Sequence, residues 1–390
     1  MLAIFLAMTL PALVGDGVAD DTAAIQARLD SGTACVYLPP PAKAYVISKP
    51  LVIGSHTELR LDRFSVIRLA PGSNCPMIEN RAYLAGQDEA IAITGGVWDM
   101  DNLHQSPNPQ QYHLLPGSPA SPIKPQYDPQ LFWGCAMRFS HVENFTVKGL
   151  TIRNPTSYGM KFCRTAYLTV DDITFDYTTC NPIFLNMDGV HLDGFCHQVR
   201  ITNLRGTCFD DMVALNANDG QCAQEEGPIR DVDIDGIYCD YCHSAARLLS
   251  TGAPLERVTI RNVHGNFYVY CVGLTHHFPE RGRGFMDDIV IENVFAAKAL
   301  ASENIGVNSR RWYPYLWVDR KLDIGSLTIR NVSRHEKTVA APTLSIDETS
   351  VVSNLVLRDC HQYNATGEKM TFLDRHGKVV RLTVDNCDGE

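Results

Sequence analysis

The sequence predicts an all-β fold, a right-handed parallel β-helix of roughly ten turns with a short N-terminal capping helix. Two observations lead to this prediction. A six-residue pattern recurs through the chain, and no sustained helical periodicity of 3.6 residues occurs between its copies. Although 390 residues exceed one average domain, a solenoid can extend as one unit, so we expect residues 1–390 to form a single domain.

The recurring pattern reads apolar, any, apolar, any, Asn/Asp/Gly, apolar. Because apolar and polar residues alternate, each copy predicts a strand with one buried face, and the Asn, Asp or Gly suits a tight left-handed bend. Self-similarity at this spacing is typical of stacked coils whose inward side chains form apolar ladders. The third positions of the copies lie 23 to 38 residues apart and are Val147, Val170, Ile201, Ile234, Ile260, Ile291, Ile329, Leu357 and Val384.

Cysteines give one further expectation about the coils. Cys360 and Cys387 occupy the same repeat position, so they should stack as thiols in one inward ladder. The chain has 13 cysteines, an odd number that excludes complete disulfide pairing. Cys239-x-x-Cys242 has no histidine partner at zinc spacing, and we therefore favour buried thiols.

The N-terminal residues 1–32 are predicted to cap the rod. In the segment GDGVADDTAAIQARL, Asp20 or Asp21 can cap a short helix whose Ile25 and Leu29 share one face. Such a helix would cover the open end of the solenoid and protect its edge.

Two segments interrupt the repeat, residues 104–134 and 298–323, and we expect both to be long loops near a groove. The second carries Trp312, Tyr313 and Trp317. These aromatic side chains either stack on sugar rings or simply pack on the rod.

Composition narrows the class of protein. Apolar residues make up 45% and charged residues 20% of the chain, which is ordinary for a chain that buries a core. A formal charge of −10 argues against a nucleic-acid partner, and no apolar run is long enough to span a membrane.

The apolar residues 1–14 are either part of a secretory signal or a first buried element, and we expect a secreted or periplasmic protein. Oligomeric state stays open.

Polar residues that bear reactive groups concentrate on two adjacent coils. The first reads NMDGVHLD, residues 186–193. With Val190 and Leu192 pointing inward, alternation sends Asp188, His191 and Asp193 outward.

The next coil reads FDDMVALN, residues 209–216. With its valine and leucine pointing inward, Asp211 and Asn216 lie on the outer face, and we expect Asp211 to face solvent. Asp210 lies at the bend before them. One coil further on, His243 and Arg247 are placed to reach the same groove.

The three aspartates are predicted to share one site. Asp188 and Asp210 are 22 residues apart, about one coil. Carboxylates this close repel one another, so the pKa of at least one must rise. A proton donor beside ionised bases is what cleavage of a glycosidic bond needs, so we favour this chemistry over backbone capping or a calcium site. We expect no metal and no cofactor, and a polysaccharide or oligosaccharide as the partner.

At these residues the sequence resembles glycoside hydrolase family 28, the polygalacturonase group of the pectin-lyase-like β-helix superfamily. The family's Asn-x-Asp motif is matched by Asn186-Met187-Asp188. Its Asp-Asp motif and the strand after it are matched by residues 210–216. The opening helix also resembles that of this superfamily and of phage tailspikes.

The resemblance implies that Asp188, Asp210 and Asp211 are the catalytic carboxylates of an inverting hydrolysis, with Asp210 or Asp211 as the acid. The residues expected to contact the substrate are Asn186, His191, Asn216, His243, Arg247, His276, Arg281 and Trp312.

One departure from the family concerns the Arg-Ile-Lys motif that grips a uronate carboxylate. Its place is taken by Gly273-Leu274-Thr275, without either cation. Arg247, a histidine at 276 or 277, or Arg281 replaces it, or the sugar at this subsite is not galacturonate. The Gly-His-Gly motif is met only in part, because His243 lies between cysteine and serine.

Two alternatives to a glycosidase remain at this point. A polysaccharide lyase on the same fold would need calcium or a strong base. A tailspike-like carbohydrate-binding β-helix would need no catalysis. Endo or exo action is left open.

Overall fold

The computed structural model describes residues 10–83, 85–107, 134–181, 183–218, 223–278, 280–302 and 313–388. These residues form one α-helix, α1 (Thr22–Leu29), two short 3₁₀ helices (Asn102–His104 and Ala223–Glu225) and one sheet of 25 strands. The strands are β1 (Cys35–Leu38), β2 (Tyr45–Ile47), β3 (Leu51–Ile53), β4 (Thr57–Leu61), β5 (Val66–Leu69), β6 (Ile78–Asn80), β7 (Asp88–Thr94), β8 (Val97–Asp99), β9 (Met137–Lys148), β10 (Thr151–Arg153), β11 (Met160–Asp176), β12 (Val190–Leu192), β13 (His197–Thr207), β14 (Asp211–Asn216), β15 (Ile229–Cys242), β16 (Ser244–Leu249), β17 (Pro254–Phe267), β18 (Val272–Thr275), β19 (Gly284–Lys298), β20 (Leu316–Val318), β21 (Leu322–Glu336), β22 (Leu344–Ile346), β23 (Val351–Asn364), β24 (Leu373–Arg375) and β25 (Lys378–Cys387).

The named strands of the described chain pair in parallel, and most pair with the strand one coil further on. One stack runs through β13, β15, β17, β19, β21, β23 and β25. A second stack, which carries the candidate site, runs through β12, β14, β16, β18, β20, β22 and β24. Coils stacked in this way form a parallel β-helix, and the predicted fold class is confirmed.

The bends follow the repeat. The fifth position of each copy has a positive φ, at Gly149, Asp172, Asn203, Gly236, Asn262, Asn293, Asn331, Asp359 and Asn386. Three of these asparagines also bond to one another along the rod. The Asn293 amide donates to Asn262 at 3.1 Å, and the Asn331 amide donates to Asn293 at 2.8 Å. Left-handed bends therefore recur at one place in every coil and keep the coils in register.

The core is a single apolar cluster inside the coils. The third repeat positions stack in register, as in the ladder of Ile234, Ile260 and Ile291, which is buried. Cys360 pairs with Cys387 as predicted. The expectation of thiols throughout is wrong at one place, because Cys239 and Cys242 form a disulfide.

Helix α1 covers the first coils. Ile25 and Leu29 are buried as predicted, and the Gln26 side chain bonds the backbone of Val52 in β3 at 2.9 and 3.0 Å. Asp20 accepts the N–H of Thr22 at 2.9 Å. The helix thereby satisfies backbone groups at the end of the rod.

The predicted loop 298–323 is wrong in part. Leu316–Val318 is a strand, because its two apolar residues continue the buried ladder of Val272 and Leu274. The predicted loop 104–134 lies largely outside the described residues. Within the described ranges, no helix has the length and apolar character that crossing a membrane requires.

We expect the ladder to carry much of the stability. Ile260→Ala should lower the free energy of unfolding by about 2–4 kcal/mol, since it removes buried methyl groups and leaves a cavity. Thr259→Ala, the outward neighbour on the same strand, should change it by less than about 1 kcal/mol. Urea unfolding followed by circular dichroism measures both. Equal effects of the two variants would contradict the assigned inward face.

Candidate active site

Strand register creates an outward-facing column of residues on the second stack. Lys161 of β11 pairs with His191 of β12, which pairs with Ala214 of β14, then Arg247 of β16 and Gly273 of β18. We call these five residues the central column. Cations on successive coils thus come close together, and the acidic groups around them decide the chemistry.

The coils that carry Asp188 and Asp211 lie in direct contact. The backbone N–H of Asp211 donates to Asp188 Oδ1 at 3.1 Å, and the N–H of Gly189 donates to the carbonyl of Asp211 at 2.9 Å. A Cβ on Gly189 would lie 2.6 Å from the carbonyl oxygen of Met212. A glycine is therefore required after Asp188 for the two coils to approach this closely.

Asp188 is held by His191. The ring Nδ1 lies 2.6 Å from Asp188 Oδ2, and Nε2 lies 3.3 Å from Asp193 Oδ1. Burial alone would lower the pKa of His191, but the charge of Asp193 and the hydrogen bonds to both carboxylates raise this pKa to about 10. His191 is therefore an imidazolium at neutral pH.

Asp211 is an ionised carboxylate. Arg247 donates to its Oδ2 and Ser244 donates to its Oδ1, while the hydroxyl of Tyr270 lies 3.4 Å from Oδ1. Burial alone would raise the pKa of Asp211, but the charge of Arg247 and the hydrogen bonds from His243 and Ser244 hold this pKa well below its usual range.

The pKa of Asp210 shifts in the opposite direction. Burial, together with the charges of Asp211 and Asp188, raises the pKa of Asp210 to about 6, although the charge of His243 opposes the shift. His243 Nδ1 lies 3.4 Å from Asp210 and 3.6 Å from Asp211. Two neighbouring carboxyl groups therefore differ in protonation, as the sequence predicts for at least one of the three.

The expectation that Asp211 faces solvent is wrong. Its side chain is 0% exposed and that of Asp188 is 1% exposed, because groups from adjacent coils cover them. Both carboxylates still lie outside the apolar ladder, among polar partners. Solvent reaches the cluster at Asp210 and Arg247, whose side chains are 18% and 13% exposed.

Four of the eight predicted substrate contacts lie in this cluster: His191, Asn216, His243 and Arg247. His243 and Arg247 touch its carboxylates, and Asn216 bonds His191 at 2.9 Å. Asn186 is half-buried with a φ of 57°, two residues before Asp188.

Other residues predicted to contact the substrate are not shown in the carboxylate cluster. His276 is fully buried, and its Nε2 donates to the carbonyl of Gly282 at 2.7 Å, so the prediction that it contacts substrate disagrees with its position. Arg281 is engaged by Glu226 at 3.0 Å. Trp312 lies outside the described residues.

Sequence reasoning missed several contributing residues. Ser244 and Tyr270 reach Asp211, and Lys161 and Glu225 form a buried ion pair at 2.6 Å beside Asp193. Ser244 pairs with Asp211 in register, a signal that coil spacing alone could have supplied. Tyr270 precedes its strand, where the alternation rule does not apply.

Ligand atoms of Asp210, Asp211 and His243 lie within 4.8 Å of one another and could hold a cation. Arg247 already supplies the positive charge beside Asp211, and Asp210 binds a proton up to a pH of about 6. The charge balance of this group therefore suits a proton donor.

Solved structures of the same shape are parallel β-helix proteins. Polygalacturonase from Erwinia carotovora ssp. carotovora has a TM-score of 0.61 and 13% identity over 93% of this chain and 94% of its own. An exopolygalacturonase from Thermotoga maritima has a TM-score of 0.60 and 16% identity over 95% and 89%. The surface adhesin PfbA of Streptococcus pneumoniae has a TM-score of 0.52 and 14% identity over 96% and 91%. These similarities show the fold.

The segment that carries the three aspartates also matches a family model. Residues 134–245 match the family model of glycosyl hydrolases family 28. The resemblance stated from the motifs is thereby confirmed, as is the prediction of a glycosidase with a polysaccharide substrate. No curated protein matches the chain in sequence.

We expect Arg247 and Asp211 to stabilise the fold only as a pair. Arg247→Met or Asp211→Asn should each lower the free energy of unfolding by about 3 kcal/mol, because each leaves a buried partner uncompensated. The double variant should lose less than the sum of the two. Urea unfolding of all three variants measures the coupling, and additive losses would contradict the ion pair.

Proposed function

We propose that this protein hydrolyses a pectin-like polysaccharide with inversion, using Asp210 as the general acid and Asp188 as the general base. The observation that carries the proposal is the contrast between Asp210 and Asp211. One carboxyl group keeps a proton to a pH of about 6, while its neighbour is ionised by Arg247. Such a divergence between adjacent carboxyl groups is typical of acid–base pairs in glycosidases.

The proposed hydrolysis needs only these residues and one water molecule. Asp210 gives its proton to the glycosidic oxygen as the bond from that oxygen to the anomeric carbon breaks. A water molecule attacks the anomeric carbon from the opposite face and gives a proton to a carboxylate. We assign that proton to Asp188, because Arg247 and Ser244 hold the pKa of Asp211 well below its usual range and make Asp211 a weak base.

The cations around the cluster limit which sugar the site can bind. Arg247 is compensated by Asp211 and Arg281 by Glu226, and Gly273 and Thr275 carry no charge. A uronate beside Asp188 would therefore meet carboxylates more than cations. We favour a pectin-like polymer that places a neutral sugar at this subsite.

A secreted or periplasmic location belongs to the same proposal. Polysaccharides of this kind are met outside the cytoplasm, and the Cys239–Cys242 disulfide fits an oxidising compartment. A second candidate function is carbohydrate binding without turnover, which the shared fold of the PfbA adhesin supports.

Product analysis separates these functions. The protein is incubated with homogalacturonan, rhamnogalacturonan, xylogalacturonan and neutral glycans. We expect new reducing ends without ultraviolet absorbance from at least one polymer. An unsaturated product would show a lyase, and retention of a glycan on the protein without any product would show a binding protein.

The acid assignment makes a pH prediction. Because Asp210 must be protonated, kcat/KM on the identified glycan should fall as pH rises through about 6. Asp210→Asn should lower kcat at least about a hundredfold and remove that basic limb. An aryl glycoside with a good leaving group should recover much of the loss, since it needs no proton.

The matched control for this prediction is Asp172→Asn, an exposed bend position where the next coil already has Asn203. It should keep full activity. An Asp210→Asn variant with an unchanged basic limb would overturn the assignment.

A further inference from the structure

A buried chain of alternating charges leads away from Asp188. His191 lies 2.6 Å from Asp188 and 3.3 Å from Asp193, Lys161 lies 3.3 Å from Asp193, and Glu225 lies 2.6 Å from Lys161. Each of these side chains is at most 9% exposed. The chain crosses three elements, because Lys161 belongs to β11 and Glu225 to a 3₁₀ helix.

Such an arrangement is costly. Burying ionised groups removes their hydration, and apolar residues of similar volume would often stabilise a fold as well. Lys161, Asp193 and Glu225 have no part in the proton transfers assigned above. Their contacts lead instead to one group, the imidazole of His191.

The surroundings of His191 fix its protonation. Carboxylate oxygens face both ring nitrogens, so both nitrogens have an acceptor to donate to. The ring also stacks on Tyr158 with centroids 4.1 Å apart, a contact that favours a cation. Burial opposes the charge, yet the two carboxylates raise the pKa of His191 to about 10.

The position of Asn216 is consistent with a doubly protonated His191 once the side-chain amide of Asn216 is reoriented. Its Nδ2 lies 2.9 Å from His191 Nε2, while its buried Oδ1 has no hydrogen-bond partner among the described residues. Turning the amide by half a rotation places the oxygen against the ring N–H. The ring N–H and the amide oxygen are then paired, and amide orientation is assigned from such networks.

We propose that His191 is a positioning residue, an imidazolium that fixes the Asp188 carboxylate and balances its charge until Asp188 accepts the proton of the attacking water. Asp193 supports the charge, and Lys161 with Glu225 holds Asp193 in place. The inference rests on the proposed function in one respect, since it takes Asp188 as the base. Charged and polar groups face the ring from three coils: Lys161 and Tyr158 before it, Asp188 and Asp193 on its own coil, and Asn216 after it.

The kinetic test uses His191→Asn, whose amide nitrogen can replace Nδ1 as a neutral donor to Asp188. We expect kcat to fall about tenfold to a hundredfold with little change in KM. The acidic limb of kcat/KM should move to higher pH, because the base has lost the cation beside it. His197→Asn, a half-buried histidine on β13, is the matched control and should leave the profile unchanged.

A purely structural role would give a different result. The variant would then lose activity or stability while the acidic limb stayed in place, and the proposal would fall. Thermal unfolding of both variants shows whether the fold is kept.

A second measurement needs no activity and no substitution at His191. Nitrogen NMR of the histidine-labelled protein should show one ring that does not titrate. Both of its nitrogens should stay protonated throughout the range from about pH 5 to about pH 8. Asp193→Asn should bring that ring into titration within this range. A neutral His191 at about pH 7 in the unchanged protein would overturn the inference. If the imidazolium is present but no glycan is cleaved, the proposed function fails and not the charge assignment.

Discussion

Parallel, in-register pairing between successive coils is the interaction on which the rest of this structure depends. Residues about one coil apart in the sequence are thereby brought next to each other. Asp211 pairs with Ser244, and His191 pairs with Ala214. The left-handed bends and the Asn262–Asn293–Asn331 amide bonds keep the register from slipping, which would turn every outward side chain inward. The geometry of the candidate site is therefore a property of the ladder.

Charge compensation follows from that register. The cations of the central column share one line of register, and each meets an acid: Lys161 meets Glu225, His191 meets Asp188, and Arg247 meets Asp211. Asp210 lies beside these pairs, where burial and the charges of Asp211 and Asp188 outweigh those of His243 and Arg247, so it alone of the Asp210–Asp211 pair has a raised pKa. The same register that gathers three carboxylates thus also gives Asp210 and Asp211 opposite pKa shifts.

Fold class and the meeting of the three aspartates were predictable, because the repeat fixes both strand faces and coil length. Burial of the aspartates was not, since Arg247 and Ser244 cover Asp211 from the next coil and alternation says nothing about side-chain reach. Leu316–Val318 was missed as a strand because three residues are too short for a periodic signal. The Lys161–Glu225 pair joins β11 to a 3₁₀ helix that carries no repeat.

The stereochemical course of the reaction tests the central claim most directly. Proton NMR of the first minutes of cleavage reports the anomer of the new reducing end before mutarotation. The proposed acid at Asp210 and the proposed water-activating base at Asp188 predict an anomer inverted relative to the glycan. Release of the retained anomer would require a carboxylate nucleophile and would contradict this account.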